Sequence, residues 1–195
     1  MPSPHLVDAI DHLDPSSFKG EAFRHIAAEW HPLSGAGARS QGGRWNPSES
    51  FSTVYLALSE ETAIEEFRRM ARRAGRSPEE FVPRRIYRVE LALREVLDLT
   101  GPQEGLPDAL AELDFQADDL APTQAVGEAA QYLGREAIMA PSATGIGNVL
   151  AVFTDRLQPD SLIESKDFRT WTAAPVGLVV TDSGSASPPG GRTRR

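Results

Sequence analysis

GGRWNPSESFSTVYLALSEETAIEEF, residues 42–67, passes from a glycine pair through a strand-like stretch into a helix-like one, and the fold class turns on how it is read. Val54, Tyr55 and Leu56 give the segment from Ser52 to Ala57 the bulk of a strand. Ser59 then has the form of a helix N-cap, with Glu60 and Glu61 beside the positive helix end, and the helix is expected to reach about Arg73. Upstream, Leu6, Ile10 and Leu13 mark a short amphipathic turn or helix, and a strand is predicted over Ala22 to Ile26. The polar, glycine-rich connection from His31 to Pro47 follows, long enough to suggest a functional loop. Downstream, Arg84 to Leu91 alternates as a half-buried strand, and Glu95 to Leu99 extends the sheet. Proline and acidic residues put loops or short helices between Thr100 and Pro122. A helix is predicted over Gln124 to Arg135, with strands over Ala137 to Ala140 and Asn148 to Thr154. This order does not alternate strictly, so the expected class is α+β, one domain with a mixed, irregular central sheet flanked by helices rather than a doubly wound fold.

The chain has 195 residues, of which 40% are hydrophobic and 25% charged, which suits a single globular domain with a real core. Residues 1–21 read as an N-terminal extension and residues 22–181 as the domain. The stretch 182–195, DSGSASPPGGRTRR, is too poor in apolar residues to offset the entropy of ordering and is expected to be a disordered tail. A net charge of −8 argues against direct binding to nucleic acid or an anionic membrane, both of which need a positive surface. An anionic ligand would have to meet a local basic pocket. Cysteine is absent, which removes disulfides, thiolate nucleophiles and cysteine-ligated zinc. His5, His12, His25 and His31 show no ligand spacing, so no metal site is expected. With neither a signal-peptide pattern nor a membrane-length apolar run, the expected location is the cytoplasm.

The densest chemical signal is Gly42-Gly43-Arg44-Trp45-Asn46-Pro47. Paired glycines allow close backbone approach, the arginine offers a planar fork for phosphate, and the tryptophan offers a stacking face, a set that suits a nucleotide. A tight turn whose tryptophan plugs the core would look the same, and composition alone favours that turn. On the following helix Ala63, Ile64, Phe67, Met70 and Ala71 form the apolar face. At about 100° per residue Glu66 flanks that face while Glu65 points to water. Glu66 is then either a surface charge paired with Arg69 or Arg73, or a catalytic carboxylate against a partly dry wall. Gly145-Ile146-Gly147-Asn148 lacks the third glycine of a dinucleotide fingerprint and leads into a strand. Ser142 has no nucleophile-elbow motif around it.

Phe23-Arg24, LSGAGARSQGGRWNP (33–47), Tyr55-Leu56-Ala57, Glu66, Gln124-Ala125-Val126-Gly127 and Pro141-Ser142-Ala143, taken in order, resemble the RES-domain toxins, a family named for an Arg, a Glu and a Ser. The likeness runs from about Ala22 to Phe153. It implies an ADP-ribosyltransferase-like fold and the toxin half of a bacterial toxin–antitoxin pair, one that degrades NAD+ and is silenced by an antitoxin with an Xre-type helix-turn-helix. NAD+ is then a consumed substrate, no cofactor is needed, and homo-oligomerisation is left open. The resemblance makes Arg24 and Arg44 the pocket arginines, Tyr55 the pocket tyrosine, Glu66 the glutamate and Ser142 the serine, with Asn148 a further polar contact.

Such a set can be rationalised on chemical grounds. Arg24 and Arg44 would clamp the diphosphate locally, and Glu66 would stabilise an oxocarbenium-like ribose. The nicotinamide leaves as a neutral ring, so no acid is required. Tyr55 or Trp45 would stack on a base, and Ser142 would hold the carboxamide or the ribose. Hydrolysis and phosphorolysis are equally compatible with these residues, and transfer of ADP-ribose to another acceptor is the competing reaction.

Overall fold

The computed structural model describes residues 1–102 and 105–176. The tail expected over 182–195, and the end of the 22–181 segment, lie outside them. Six strands carry the structure: β1 (Ser16–Ala27), β2 (Thr53–Ala57), β3 (Arg84–Asp98), β4 (Ala137–Pro141), β5 (Asn148–Phe153) and β6 (Leu162–Trp171). Five helices flank them: α1 (Pro4–Asp11), α2 (Ala36–Gln41), α3 (Glu60–Arg73), α4 (Asp108–Ala111) and α5 (Ala121–Tyr132), with a short 3-10 turn at Pro78–Phe81. The mixed α+β class expected from the sequence is what forms.

The sheet closes on itself. β1 pairs along nearly its whole length with β3, from Ala27 opposite Arg84 to Ser16 opposite Val96, and it also touches β2 at Phe23 opposite Ala57. In the circuit β1-β2-β5-β4-β3, closed by the pairing of β1 with β3, only β3 and β4 run parallel among the described residues. Ala22, Val54, Leu56, Val89, Leu91, Val96, Ala137, Leu150 and Val152, drawn from all five strands, form one buried cluster inside this ring. Alternation of side chains along each strand puts these residues inward together.

A second cluster lies outside the ring, where Ile10 of α1, Leu110 of α4 and Val126, Ala129 and Ala130 of α5 pack on Leu97, Ile138, Ala151 and Phe153. Arg135, 7% exposed, ties α1 to the body by donating to the carbonyls of Ile10 and Leu13 and to Glu95. β1 therefore begins six residues before the strand start expected at Ala22, and chain ahead of Ala22 belongs to both sheet and core.

Two elements were not foreseen. β6 pairs with the outer edge of β3 from Arg84 opposite Trp171 to Ala92 opposite Leu162. Most of its residues are exposed, so it lacks the apolar alternation that would have marked it. α2 is six residues long with no buried side chain, and its helical form is set by tertiary contacts rather than by an apolar face.

Candidate active site

Three elements meet at one end of the ring: the turn 42–47, the N-terminal half of α3, and the β4–β5 connection 142–147. The turn leaves α2 at Gly42, which adopts φ +76° with no room for a side chain beside the Ser48 backbone. Gly43 then donates to the Asn46 carbonyl at 2.8 Å, closing the loop. Buried Asn46 donates from Nδ2 to the Ala38 carbonyl at 2.7 Å. From below, the Tyr55 hydroxyl accepts from the Trp45 N–H and donates to Asn46 Oδ1, both at 2.8 Å. Burial pushes that hydroxyl's pKa far above its usual value, so Tyr55 stays a neutral strut.

α5 braces the same turn from the other side. Gln124 Nε2 donates to the carbonyls of Gly43 at 2.9 Å and Asn46 at 3.3 Å. Gly127 faces the Trp45 backbone so closely that any Cβ would overlap its carbonyl oxygen. An alanine in mid-helix normally gains about 1 kcal/mol over glycine. Here overpacking opposes that gain, and Gly127→Ala is expected to destabilise by about 1–3 kcal/mol. The midpoint of urea unfolding checks this; a midpoint at or above the parent's would contradict the close approach.

Trp45 itself is 1% exposed, packed in the core with its ring 6.1 Å from that of Phe115. The stacking role considered for Trp45 is therefore corrected: the ring anchors the turn from inside and presents no face to a ligand. Tyr55, hydrogen-bonded at its hydroxyl on both sides, is likewise a support for the turn.

α3 begins as expected, with the Ser59 hydroxyl accepting from the Thr62 N–H at 3.1 Å. Ser142 Oγ donates to Glu66 Oε1 at 2.7 Å and accepts from the Thr144 N–H at 3.1 Å. Ser142 is 1% exposed. Its hydroxyl proton is committed to Glu66, so Ser142 positions that carboxylate. Gly147, at φ +64°, seats the connection against Thr62 on α3 with no space for a side chain. Asn148 opens β5 opposite Pro141, next to Ser142 in the register, and its carbonyl accepts from the Leu58 N–H.

Among the described residues Glu66 closes no ion pair, so the surface-pair reading with Arg69 or Arg73 does not hold. Glu65, expected to face water, is instead only 13% exposed and lies 3.9 Å from Arg68 Nε. Arg68 in turn donates to the Pro175 carbonyl, because the chain returning from β6 covers this flank of α3.

Arg44 donates from Nη2 to the Ala117 carbonyl at 3.0 Å. Its Nη1 is buried with no hydrogen-bond partner among the described residues. Burial lowers its pKa most and nearby Arg69 lowers it further, while Glu66 acts in the opposite sense. A guanidinium, a carboxylate and a buried hydroxyl thus converge.

Arg24 lies on β1. Its guanidinium donates to the carbonyls of Pro32 at 2.6 Å and Ser34 at 2.8 Å, bracing the loop that leads into α2. Burial, then Arg84, pulls its pKa down to about 10, and it pairs with no carboxylate among the described residues. Arg24 thus braces the loop that leads through α2 to the turn carrying Arg44. Beside Arg24, half-buried His25 accepts from Arg84 Nε at 3.2 Å between the rings of Phe67 and Trp171.

A family model described as RES domain matches residues 21–172. The chain belongs to the RES domain family. Within it, this RES domain is 35% identical over 159 residues to the NAD(+) phosphorylase MbcT of Mycobacterium tuberculosis, an overlap of 80% of this chain and 86% of MbcT. It is 32% identical over 154 residues to the probable NAD(+) phosphorylase Rv3189 of the same species, covering 78% and 73% of the two chains. Its structure superposes with a TM-score of 0.74 and 32% identity on a chain of the crystal structure of the M. tuberculosis MbcT–MbcA toxin–antitoxin complex, over 87% of this chain and 93% of that one.

The RES domain also uses residues to which the sequence reading gave no role at the site. Thr144 secures Ser142, Asn46 and Gln124 secure the turn, and Arg69 stands one helical turn beyond Glu66 with its guanidinium near Arg44. Asn46 and Gln124 stand within the stretches that carry the family likeness, and the sequence offers Arg69 only as a surface partner at i, i+3 from Glu66.

Proposed function

We propose that this RES domain degrades NAD+ by breaking the bond between nicotinamide and ribose, with inorganic phosphate taking the ribosyl group, and that it acts in the cytoplasm as the toxin of a toxin–antitoxin pair. The observation that carries the reading is the 2.7 Å Ser142–Glu66 hydrogen bond near Arg44, whose buried Nη1 has no partner among the described residues. Ser142 fixes Oε1, and Oε2 has no hydrogen-bond partner among the described residues. A carboxylate held this way suits a ribose that becomes electron-poor as the C–N bond lengthens. The bonding pair leaves with nicotinamide and neutralises its ring, while a phosphate oxygen forms the new bond to the anomeric carbon. Arg44 supplies the charge-assisted donor for a phosphate group, which an otherwise acidic chain offers only locally.

Phosphate as acceptor is supported by the names of MbcT and Rv3189. An antitoxin partner is supported by the complex in which the structural neighbour was solved, and we assign that partner an Xre-type helix-turn-helix from the family likeness. The ring of strands is read as an ADP-ribosyltransferase-like core within residues 22–181. NAD+ enters as substrate, and no other organic cofactor or metal takes part in the scheme.

Chromatography of the products tests it. Purified protein with NAD+ and phosphate should release nicotinamide and a phosphorylated ADP-ribose, at a rate rising with phosphate. Equal rates without phosphate, giving ADP-ribose, would make it a hydrolase; turnover only with a protein acceptor would make it a transferase.

A further inference from the structure

Arg44 and Arg69 both bind one short strap of chain, residues 114–118. Arg44 Nη2 donates to the Ala117 carbonyl at 3.0 Å, Arg69 Nη2 donates to the Gln116 carbonyl at 3.3 Å, and the Asp118 carboxylate lies 3.5 Å from Arg69. The strap is pinned at its start by Leu113 in the core and Phe115 against Trp45. Its middle reaches the β4–β5 connection, where the Gln116 amide lies beside Gly145. It therefore crosses from the 42–47 turn to the Ser142 connection, the two elements that frame Glu66.

Two like charges brought together in a half-buried place repel, and burial and then Arg69 lower the proton affinity of Arg44. The strap offsets this poorly. Two of its three acceptor oxygens are neutral carbonyls, and the third belongs to an aspartate whose side chain is 87% exposed. Arg69 is 19% exposed, so its charge is less hydrated than that of its partner. Arg44 Nη1, buried and unpartnered among the described residues, still lacks an acceptor. A compact anion with several oxygens, which is the shape of a phosphate group, would give both guanidinium groups charged acceptors.

Resting on the NAD+ reading above, we propose that Arg44 and Arg69 form a phosphate-group subsite one helical turn from Glu66, and that the Asp118 carboxylate occupies it as an internal stand-in when no ligand is bound. Residues three apart on a helix have Cβ atoms about 5–6 Å apart, so a group held by Arg69 stands beside the carboxylate at the reacting sugar. Two sources share this chemistry, the acceptor phosphate and the diphosphate of NAD+. Arg69 is then the residue that sets affinity for that group, and Asp118 is its competitor.

Steady-state kinetics of Arg69→Gln and Asp118→Asn separate the sources. Losing a charge-assisted contact to phosphate should raise one KM by about 10–100-fold: that for inorganic phosphate if the acceptor sits here, that for NAD+ if the diphosphate does. Arg69→Lys should recover part of the loss, and Asp118→Asn should lower the same KM by about two- to five-fold. Thermal-shift titrations with inorganic phosphate and with ADP-ribose give a readout independent of turnover. One of these ligands should stabilise the parent, and do so less well in Arg69→Gln. If no NAD+ is consumed but this difference persists, the subsite stands and the reaction assigned above falls. If NAD+ is consumed while Arg69→Gln leaves both KM values and both titrations unchanged, the subsite is overturned. An Asp118→Asn variant that binds both ligands as the parent does would overturn the stand-in.

Discussion

Glu66→Gln is expected to lower the rate of nicotinamide release from NAD+ by about 10²–10³-fold while KM for NAD+ changes little. The amide keeps the size of the side chain and can still meet the Ser142 hydroxyl, so folding should be intact. What it loses is the negative charge that matters only once the ribose becomes cationic, which places the loss in kcat. Ser142→Ala probes the same oxygen from the other side. It removes the group that aims Glu66 without touching its charge, and a smaller fall in kcat, about tenfold, is expected. Single-turnover measurement of both variants, with circular dichroism to confirm the fold, checks the pair. A Glu66→Gln enzyme within a few-fold of the parent would remove Glu66 from the chemistry.

The largest expected effect on stability is at Glu136, a fully buried carboxylate at the start of β4. Its Oε2 accepts from the Arg94 and Glu95 N–H groups at 2.6 and 2.9 Å, and Oε1 accepts from the Gln158 N–H at 2.8 Å. It thereby fastens the bend in β3 to the chain leaving β5. Glu136→Ala strands three donors in the interior and should cost about 3 kcal/mol or more, some 6–12 °C in Tm. Glutamine does not restore it, because its NH2 would face a backbone donor.

Acid should act at the same place. Burial alone would raise the Glu136 carboxyl, but the backbone N–H groups outweigh it and hold its pKa below the ordinary carboxylate range. A depressed acid contributes stability above its unfolded value, near 4.3, and loses it as pH falls through the folded value. His25 adds a loss that begins earlier. Burial, then Arg84 and Arg24, pulls its pKa from 6.5 to about 3, so the folded protein holds it neutral where the unfolded chain would protonate it. Stability should therefore decline on acidification from about pH 6.5 towards 3, with the Glu136 contribution joining in the lower part. Urea unfolding across this range measures it, and His25→Phe should flatten the upper part of the slope.

Much of the site was legible in the chain. The glycine pair at 42 and 43 announced close backbone approach, and the structure uses Gly42 for its positive φ and Gly43 to lie over Tyr55; that Gly127 admits the Trp45 backbone was not read from the sequence. The position of Glu66 at the edge of the apolar face of α3 followed from helical geometry, because Phe67 and Ala71 are buried on that face. The stacking role for Trp45 failed because a sequence shows which side chains have faces but not which way the turn points them. The hydrogen bonds of Arg24 were hidden for a related reason: its acceptors, at Pro32 and Ser34, are backbone carbonyls with no signature in residue type.

The sequence by itself determined the element types of the central strands and of α3 and α5, the caps, and the cluster of residues that carries the family. These rest on local periodicity and on backbone conformations that few residues tolerate. Tertiary structure alone decided that β1 and β3 close the sheet into a ring, that β6 forms on its outer edge, and that a strap at 114–118 reaches Arg44 and Arg69. Those choices depend on hydrogen bonds between main-chain groups distant in sequence, and every residue offers the same N–H and C=O, so only the packed chain shows which of them meet.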